Sequence, residues 1–373
     1  MHVLVSANEL NRGMSMVTRA LLSKAPMPSY EGVLIETTDE GLLLTITNGS
    51  MTVRSTVPAT IEKEGSALLP ARLLYELIRK LEGDIKLSIK DRKAKIEAAN
   101  ISSTELMCMD AVEFPEISDV ENGISVKMPH GAYSSAVSKT AFALSSEASQ
   151  RILTGLYMQV FRNEVRIVCL DGFRLAMQKI FITNKVSEDM EYISCIIPGS
   201  IAKEIALMAS EGDDEIKFNF TKSHIMATFG NTKVYSPLIM GEYINYQQIL
   251  PESWTSAVKL DRHTFISSVE RAAIIAREGN NLLRLSIKDG ELSISANTEK
   301  ANSFERIVID LQGQPLDIAF NSRYLMDVVK NIDGKELVLR FNTNVSPCVV
   351  CPVKGDQYTY LVLPVRTIEI MEE

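Results

Sequence analysis

Apolar positions along the chain fall into two rhythms, a helical one spaced by three and four residues and a strand-like alternation, and the two recur together in the same order three times. From Leu69 to Leu87, Pro70 suits a helix start, Leu73, Leu74, Leu77, Ile78 and Leu81 predict one apolar face, and Gly83 ends the run before a strand. The same spacing returns after Pro198 as Ile201, Ala202, Ile205, Ala206 and Ala209, with Gly212 as the break and a strand from Ile216. It returns again after Asn321 as Tyr324, Leu325, Val328, Val329 and Ile332, followed by Asp333-Gly334 and a strand at Leu337. Upstream of each copy lies a second helix. Ser6 reads as an N-cap for Leu10, Met14, Val17, Thr18 and Leu21; Pro129 precedes Tyr133, Val137, Ala141 and Leu144; Asp261 precedes Phe265, Val269, Ala272 and Ala273. Between the two helices each copy has paired strand-like runs, from Gly32, Gly155 and Leu282, with Asp39-Glu40-Gly41 and Asp289-Gly290 as hairpin turns.

This pattern predicts an α+β chain of three tandem domains, 1–122, 123–254 and 255–373, joined near Asn122-Gly123 and Pro251–Ser256. A period of roughly 120 to 130 residues is far longer than the ~20 to 50 of solenoid units. Three like domains related by one rotation would form an open arc. A second chain can close such an arc into a ring, pairing the terminal strands across the boundary.

Composition is that of an ordinary globular protein, 46% hydrophobic and 23% charged. The net charge of −8 restricts any nucleic-acid contact to local patches. No apolar run is long enough to cross a membrane and the first residues do not read as a signal peptide, so the expected location is cytoplasmic. Five cysteines scattered through strand-like text predict reduced, buried thiols. Basic residues concentrate on the helices: Arg12, Arg19, Arg72, Arg79, Lys80, Lys139, Arg262, Arg271, Arg323 and Lys330. Acidic residues gather at turns, as in Asp39-Glu40, Glu188-Asp189 and Glu211–Glu215. The helical cations suit either a solvated face or sequence-independent phosphate contact, and Glu76 beside Arg72 and Arg79 favours the former.

Catalytic signatures are missing. There is no phosphate-binding glycine loop, and His2, His130, His224 and His263 have no metal-ligand spacing. Cys348 and Cys351 form a lone C-x-x-C in strand-like text, where residues three apart point to opposite faces. Ser200-x-x-Lys203 has none of the partner motifs of penicillin-binding enzymes, and Cys108 near Asp110 has no base. No metal or other cofactor is expected. The specialised stretch is Leu170-Asp171-Gly172-Phe173-Arg174-Leu175-Ala176, with Leu361–Arg366 as its companion, two apolar segments able to border a groove. A hydrolase with a cleft near Asp171 and Arg174, or a scaffold that binds peptides but not DNA, remain rival readings at this point.

The order of Pro70-Ala71-Arg72, L-D-G-F-R-L-A, Y-I-N-Y-Q-Q-I-L-P (243–251), E-R-A-A-I-I (270–275), F-N-S-R-Y-L (320–325) and the final L-P-V-R resembles the bacterial DNA sliding clamp, the beta subunit of the replicative DNA polymerase III holoenzyme. The resemblance covers essentially the whole chain. It implies a non-enzymatic processivity factor: a head-to-tail homodimer, closed as a ring around duplex DNA, with helices inside and antiparallel sheets outside. Its implied partners are the replicative DNA polymerase, the ATP-using clamp loader and other proteins carrying a clamp-binding motif. Matched by motif, the partner-peptide pocket comprises Leu153, Gly155, Leu170, Gly172, Phe173, Arg174, Leu175, Ile244, Gln248, Ile249, Asn321, Tyr324, Ser346, Leu361, Val362, Leu363, Pro364, Val365 and Arg366. DNA contacts are expected at Lys24, Arg72, Gln150, Arg151 and Arg277, then at Arg12, Arg79 and Lys203, and dimer contacts at Leu106, Ile274 and Ile275. Three departures stand out. Leu170 and Phe173 stand where the family usually has Thr and His, Ile244 and Gln248 stand where Pro and Arg are common, and the chain runs on from Thr367 to Glu373. The pocket is therefore expected to be more apolar and less basic than usual.

Overall fold

The structure, a computed structural model, describes residues 1–98, 102–111, 114, 115, 120, 123–183, 191–208 and 215–366. The expectations for Asn122, Glu188-Asp189, Ala209, Gly212, most of Glu211–Glu215 and Thr367–Glu373 lie outside them. Helix and antiparallel strand recur in each third of the chain. The helices are α1 (Ala7–Val17), α2 (Ala71–Ile78), α3 (His130–Thr140), α4 (Gly199–Leu207), α5 (Arg262–Arg277) and α6 (Ser322–Lys330). These are the six helices that the periodicity predicts. Leu10, Met14 and Val17 are buried on α1, and Phe265, Val269, Ala272 and Ala273 on α5.

The predicted runs overshoot, since Leu21, Leu81, Leu144 and Ile332 lie beyond the ends of α1, α2, α3 and α6, and two further details differ from expectation. Ser6 occupies the N-cap position of α1 without a side-chain cap hydrogen bond, whereas Asp261 caps α5 through Oδ1, which accepts from the Thr264 N–H at 2.7 Å. Leu73 is 52% exposed. Helix α2 is short and buries the stripe Ala71, Leu74 and Ile78, leaving Leu73 to one side.

Contacts divide the chain into two compact units, residues 1–134 with 200–238 and residues 135–199 with 239–373. The division follows strand pairing. In the first unit, Thr232–Pro237 pairs with Thr52–Val57, so strands of the middle third continue those of the first in one eight-stranded sheet. In the second, Arg174–Phe181 pairs with Tyr358–Val362, giving a nine-stranded sheet shared between the middle and last thirds. Backbone hydrogen bonds thus run across the sequence repeats, which local periodicity does not reveal. The first unit also has a five-stranded sheet ending on Ser102–Met107, and the second a four-stranded sheet ending on Asn302–Val308. Every pairing between these strands is antiparallel.

Within the second unit α5 packs on α6 and on the strands Leu282–Lys288, Glu291–Asn297 and Asn302–Val308. Tyr360 ties the end of α6 to the nine-stranded sheet: its hydroxyl donates to the Asn331 carbonyl at 2.9 Å and accepts from the Gln178 amide at 2.7 Å. That anchoring places Tyr324 and Asp327, on α6, beside the Asp171–Arg174 turn.

Candidate functional site

The turn before Arg174 is built by one carboxylate. Asp171 Oδ1 accepts the backbone N–H groups of Phe173 (2.9 Å) and Arg174 (3.0 Å), and Oδ2 accepts from Arg174 Nε at 3.0 Å. Gly172 adopts a φ of +89°, a conformation a side chain would strain. The turn projects Phe173, 53% exposed, while turning the Arg174 guanidinium inward. There Arg174 also pairs with Asp327 and lies over the Tyr324 ring at 4.7 Å and the Phe142 ring at 5.5 Å. Asp171 is thereby committed to holding a turn and a cation. This is not the arrangement of a hydrolytic acid or base, and among the described residues no group of His, Cys, Asp or Glu is placed to hold a metal ion. Cys348 and Cys351 are buried free thiols, and burial pushes both upward from the usual thiol range.

Behind the turn lies an apolar cluster of Leu153, Val168, Leu170, Leu175, Met177, Tyr246 and Leu361, with Leu363 packed against it. Register explains the assembly: Leu170 faces Leu175 across the hairpin, and Leu175 faces Leu361 on the next strand. Segment 243–250 crosses this face. It seats Tyr243, Tyr246 and Leu250 inward and leaves Ile244, Gln248 and Ile249 exposed. Tyr243 stacks on Tyr157 with centroids 4.5 Å apart, and the Tyr246 hydroxyl donates to Gln159 at 2.7 Å. Burial pushes both phenols above their ordinary range. The chain end closes the other side: Leu363 N–H donates to the Phe173 carbonyl and Val365 N–H to that of Ala319, each at 2.8 Å. Phe173 lies against Tyr324, and Val345, Val365 and Arg366 line an adjoining cavity of about 580 Å³.

Most motif-matched pocket residues therefore converge. Leu153, Leu170, Phe173, Arg174, Leu175, Tyr324, Leu361 and Leu363 are joined directly by the contacts above, Val362 lies opposite Arg174 in the strand register and is fully buried, and Val365 and Arg366 lie on the adjoining cavity. Asn321 caps α6, its side chain accepting from Arg323 N–H at 3.0 Å, and Ser346 is held in its own turn by Thr343. Gly155 looks elsewhere, since a side chain there would meet Ile196 and Ile239. Tyr243 and Tyr246 belong to the Y-I-N-Y-Q-Q-I-L-P motif without being matched to the pocket, and Asp327 and Phe142 have no motif at all. The signal for the tyrosines is their large apolar body with a polar tip in a segment that also carries Ile244, Ile249 and Leu250.

The cations separate into engaged and available groups. Arg19 pairs with Glu204 at 3.6 Å, Lys139 with Asp333, Arg271 with Glu305 and Lys330 with Glu270 at 3.6 Å, which fits the solvated-face reading of these helical cations. In the first unit Arg72 Nη2 donates to the Leu22 carbonyl at 2.6 Å, bringing the exposed Lys24 loop to the first turn of α2. In the second, Gln150 and Arg151 sit on a kinked turn, Gln150 accepting from Ser145 at 3.2 Å, and Arg277 ends α5 exposed. Arg12, Arg79 and Lys203 are also exposed. Of the expected dimer residues, Ile274 is 61% exposed and Ile275 half-buried. Leu106 is only 7% exposed; its neighbour Met107 is the outward residue on that edge strand.

Three family models cover the chain in order: the DNA polymerase III beta subunit N-terminal domain at residues 1–118, the central domain at 127–245 and the C-terminal domain at 247–366. The chain belongs to the DNA polymerase III beta subunit family. A beta sliding clamp of Staphylococcus aureus strain Mu50 is 28% identical over 361 residues, covering 94% of this chain and 95% of that one. The sliding clamp of Bacillus subtilis superposes with a TM-score of 0.92 at 25% identity, over 99% of this chain and 100% of the other. The Pseudomonas aeruginosa beta subunit shares the fold, with a TM-score of 0.92 at 24% identity over 98% of this chain and 100% of that one. As a sliding-clamp family member the chain falls in a class of non-catalytic processivity factors serving DNA polymerase III.

Proposed function

We propose that this beta subunit acts as a homodimeric ring that encircles duplex DNA without reading its sequence, slides on it, and tethers the replicative polymerase. In this reading each chain contributes three clamp domains, 1–122, 123–254 and 255–373. Two copies join head to tail in the cytoplasm, and a clamp loader opens and closes the ring. The loader, the polymerase and other motif-bearing proteins insert a short peptide beside Leu175, Phe173, Tyr324 and Leu361.

The observation that carries the tether is the joined surface of Phe173, Tyr324 and segment 361–366 over a cluster of buried leucines. Ring closure is supported by two sheet edges, Ser102–Met107 and Asn302–Val308, each unpaired on one side among the described residues. Such edges invite pairing with another copy, and the exposed Met107 and Ile274 would be covered by it. Lys24, Arg72, Gln150, Arg151 and Arg277 would supply weak phosphate contacts, the hold coming from topology. The test is retention: after loader- and ATP-dependent loading, the protein should stay on nicked circular DNA in high salt and leave when the circle is cut.

A further inference from the structure

The cavity beside Val365 and Arg366 does not stop at the proposed peptide pocket. It shares Arg284 and Ser295 with a second cavity of about 630 Å³, and together they cross one face of the four-stranded sheet. Register makes the path explicit. Ala319, whose carbonyl accepts the Val365 N–H, faces Arg284; Arg284 faces Ser295; Ser295 faces Phe304 on the edge strand. At ~4.8 Å per strand this row spans about 14 Å, the length of four or five extended residues at ~3.3 Å each.

The lining has a definite chemistry. Arg284 is exposed and makes no ion pair or side-chain hydrogen bond among the described residues, and the same holds for Arg366. Two guanidinium groups against the single carboxylate of Asp317 give the first cavity a positive balance. Ser286, Ser295, Asn297 and Asn302 offer short hydrogen-bonding groups along the way. At the far end Phe304, 61% exposed, lines the groove, with the Arg306 guanidinium over its ring at 5.7 Å. A planar guanidinium favours carboxylate, and an exposed aromatic favours an apolar side chain.

Resting on the pocket reading above, we propose that this row is an annex of the peptide pocket. It binds the four or five residues that flank a partner's pocket-filling core, a carboxylate of that flank meeting Arg284 and an apolar side chain lying on Phe304. The annex thus selects among partners by what adjoins their core.

The test uses a core hexapeptide selected by display against the intact protein, then extended at either end by Glu-Ser-Glu-Phe or by Lys-Ser-Lys-Phe. One acidic extension should bind about fivefold tighter than the core alone, with no gain from the lysine version, and the gain should shrink as salt rises. Arg284→Ala and Phe304→Ser should each reduce that gain while leaving the affinity of the unextended core unchanged, and a solution mass measurement should show the Phe304→Ser protein in the same oligomeric state as the parent, since Phe304 stands on the edge strand that the ring reading pairs with a second copy. If the core binds but neither acidic extension improves on it, or if Arg284→Ala weakens the bare core equally, the annex is refuted. If Phe173→Ala and Tyr324→Ala leave the affinity of the bare core unchanged, the core sits elsewhere and the pocket reading falls instead.

Discussion

Phe173 stacks on Tyr324 with ring centroids 5.4 Å apart and planes 20° from parallel. Phe173 comes from a hairpin turn between two paired strands and Tyr324 from a helix, and their contact joins the Asp171–Arg174 turn to α6. Since Phe173 is half exposed, removing its ring should hurt a bound peptide more than the fold. Phe173→Ala is expected to weaken peptide binding by about 1 kcal/mol, roughly fivefold, with little change in Tm. Fluorescence anisotropy with a labelled peptide and a melting curve on the same sample check both halves.

Leu175, only 2% exposed, offers the opposite case. Leu175→Ala should weaken the same peptide and also destabilise the second unit by about 2 to 4 kcal/mol, through the cavity left against Leu170 and Leu361. Denaturant unfolding separates the two effects, and Leu175→Met should restore stability first.

Arg174 holds Asp171 and Asp327 together with its side chain only 11% exposed. Arg174→Met would leave the shielded Asp171 without its cation, while Asp327, 44% exposed, is largely solvated, for a loss of about 2 kcal/mol. Lysine cannot reproduce the forked contact while lying flat on Tyr324, so Arg174→Lys should recover only part of it. A double-mutant cycle with Asp327→Asn gives the coupling directly.

The start of α5 carries a pH signature. Hydrogen bonds from the Thr264 hydroxyl and N–H hold Asp261 below its ordinary carboxylate range. A lowered folded-state value means stabilisation that is complete above the unfolded value and lost as pH falls through the folded one. Melting temperature should therefore drop on acidification below the usual carboxylate range, and Asp261→Asn should flatten that part of the profile. An unchanged slope in the variant would assign the acid sensitivity to other carboxylates.

Much of this was legible in the sequence because it is local. Leu10, Met14 and Val17, or Phe265, Val269 and Ala272, declare helices by spacing alone, and Asp171-Gly172 declares its turn. What escaped reading is non-local. No pattern near Thr232 says that its strand pairs with Thr52–Val57, and none near Arg174 names Asp327 as its partner. Leu106 shows the same limit: periodicity marks it apolar, but only the sheet decides that it faces inward while Met107 faces out.

The central claim is a topological hold on DNA, and single-molecule or gel-filtration retention on circular DNA tests it most directly. After loading onto a nicked circle, the protein should remain bound in salt that strips ordinary phosphate contacts, and a single restriction cut should release it. Charge-neutral variants at Lys24 and Arg72 should change loading more than retention. Survival on the linear product with both ends free, or loss from the intact circle at moderate salt, would contradict the account.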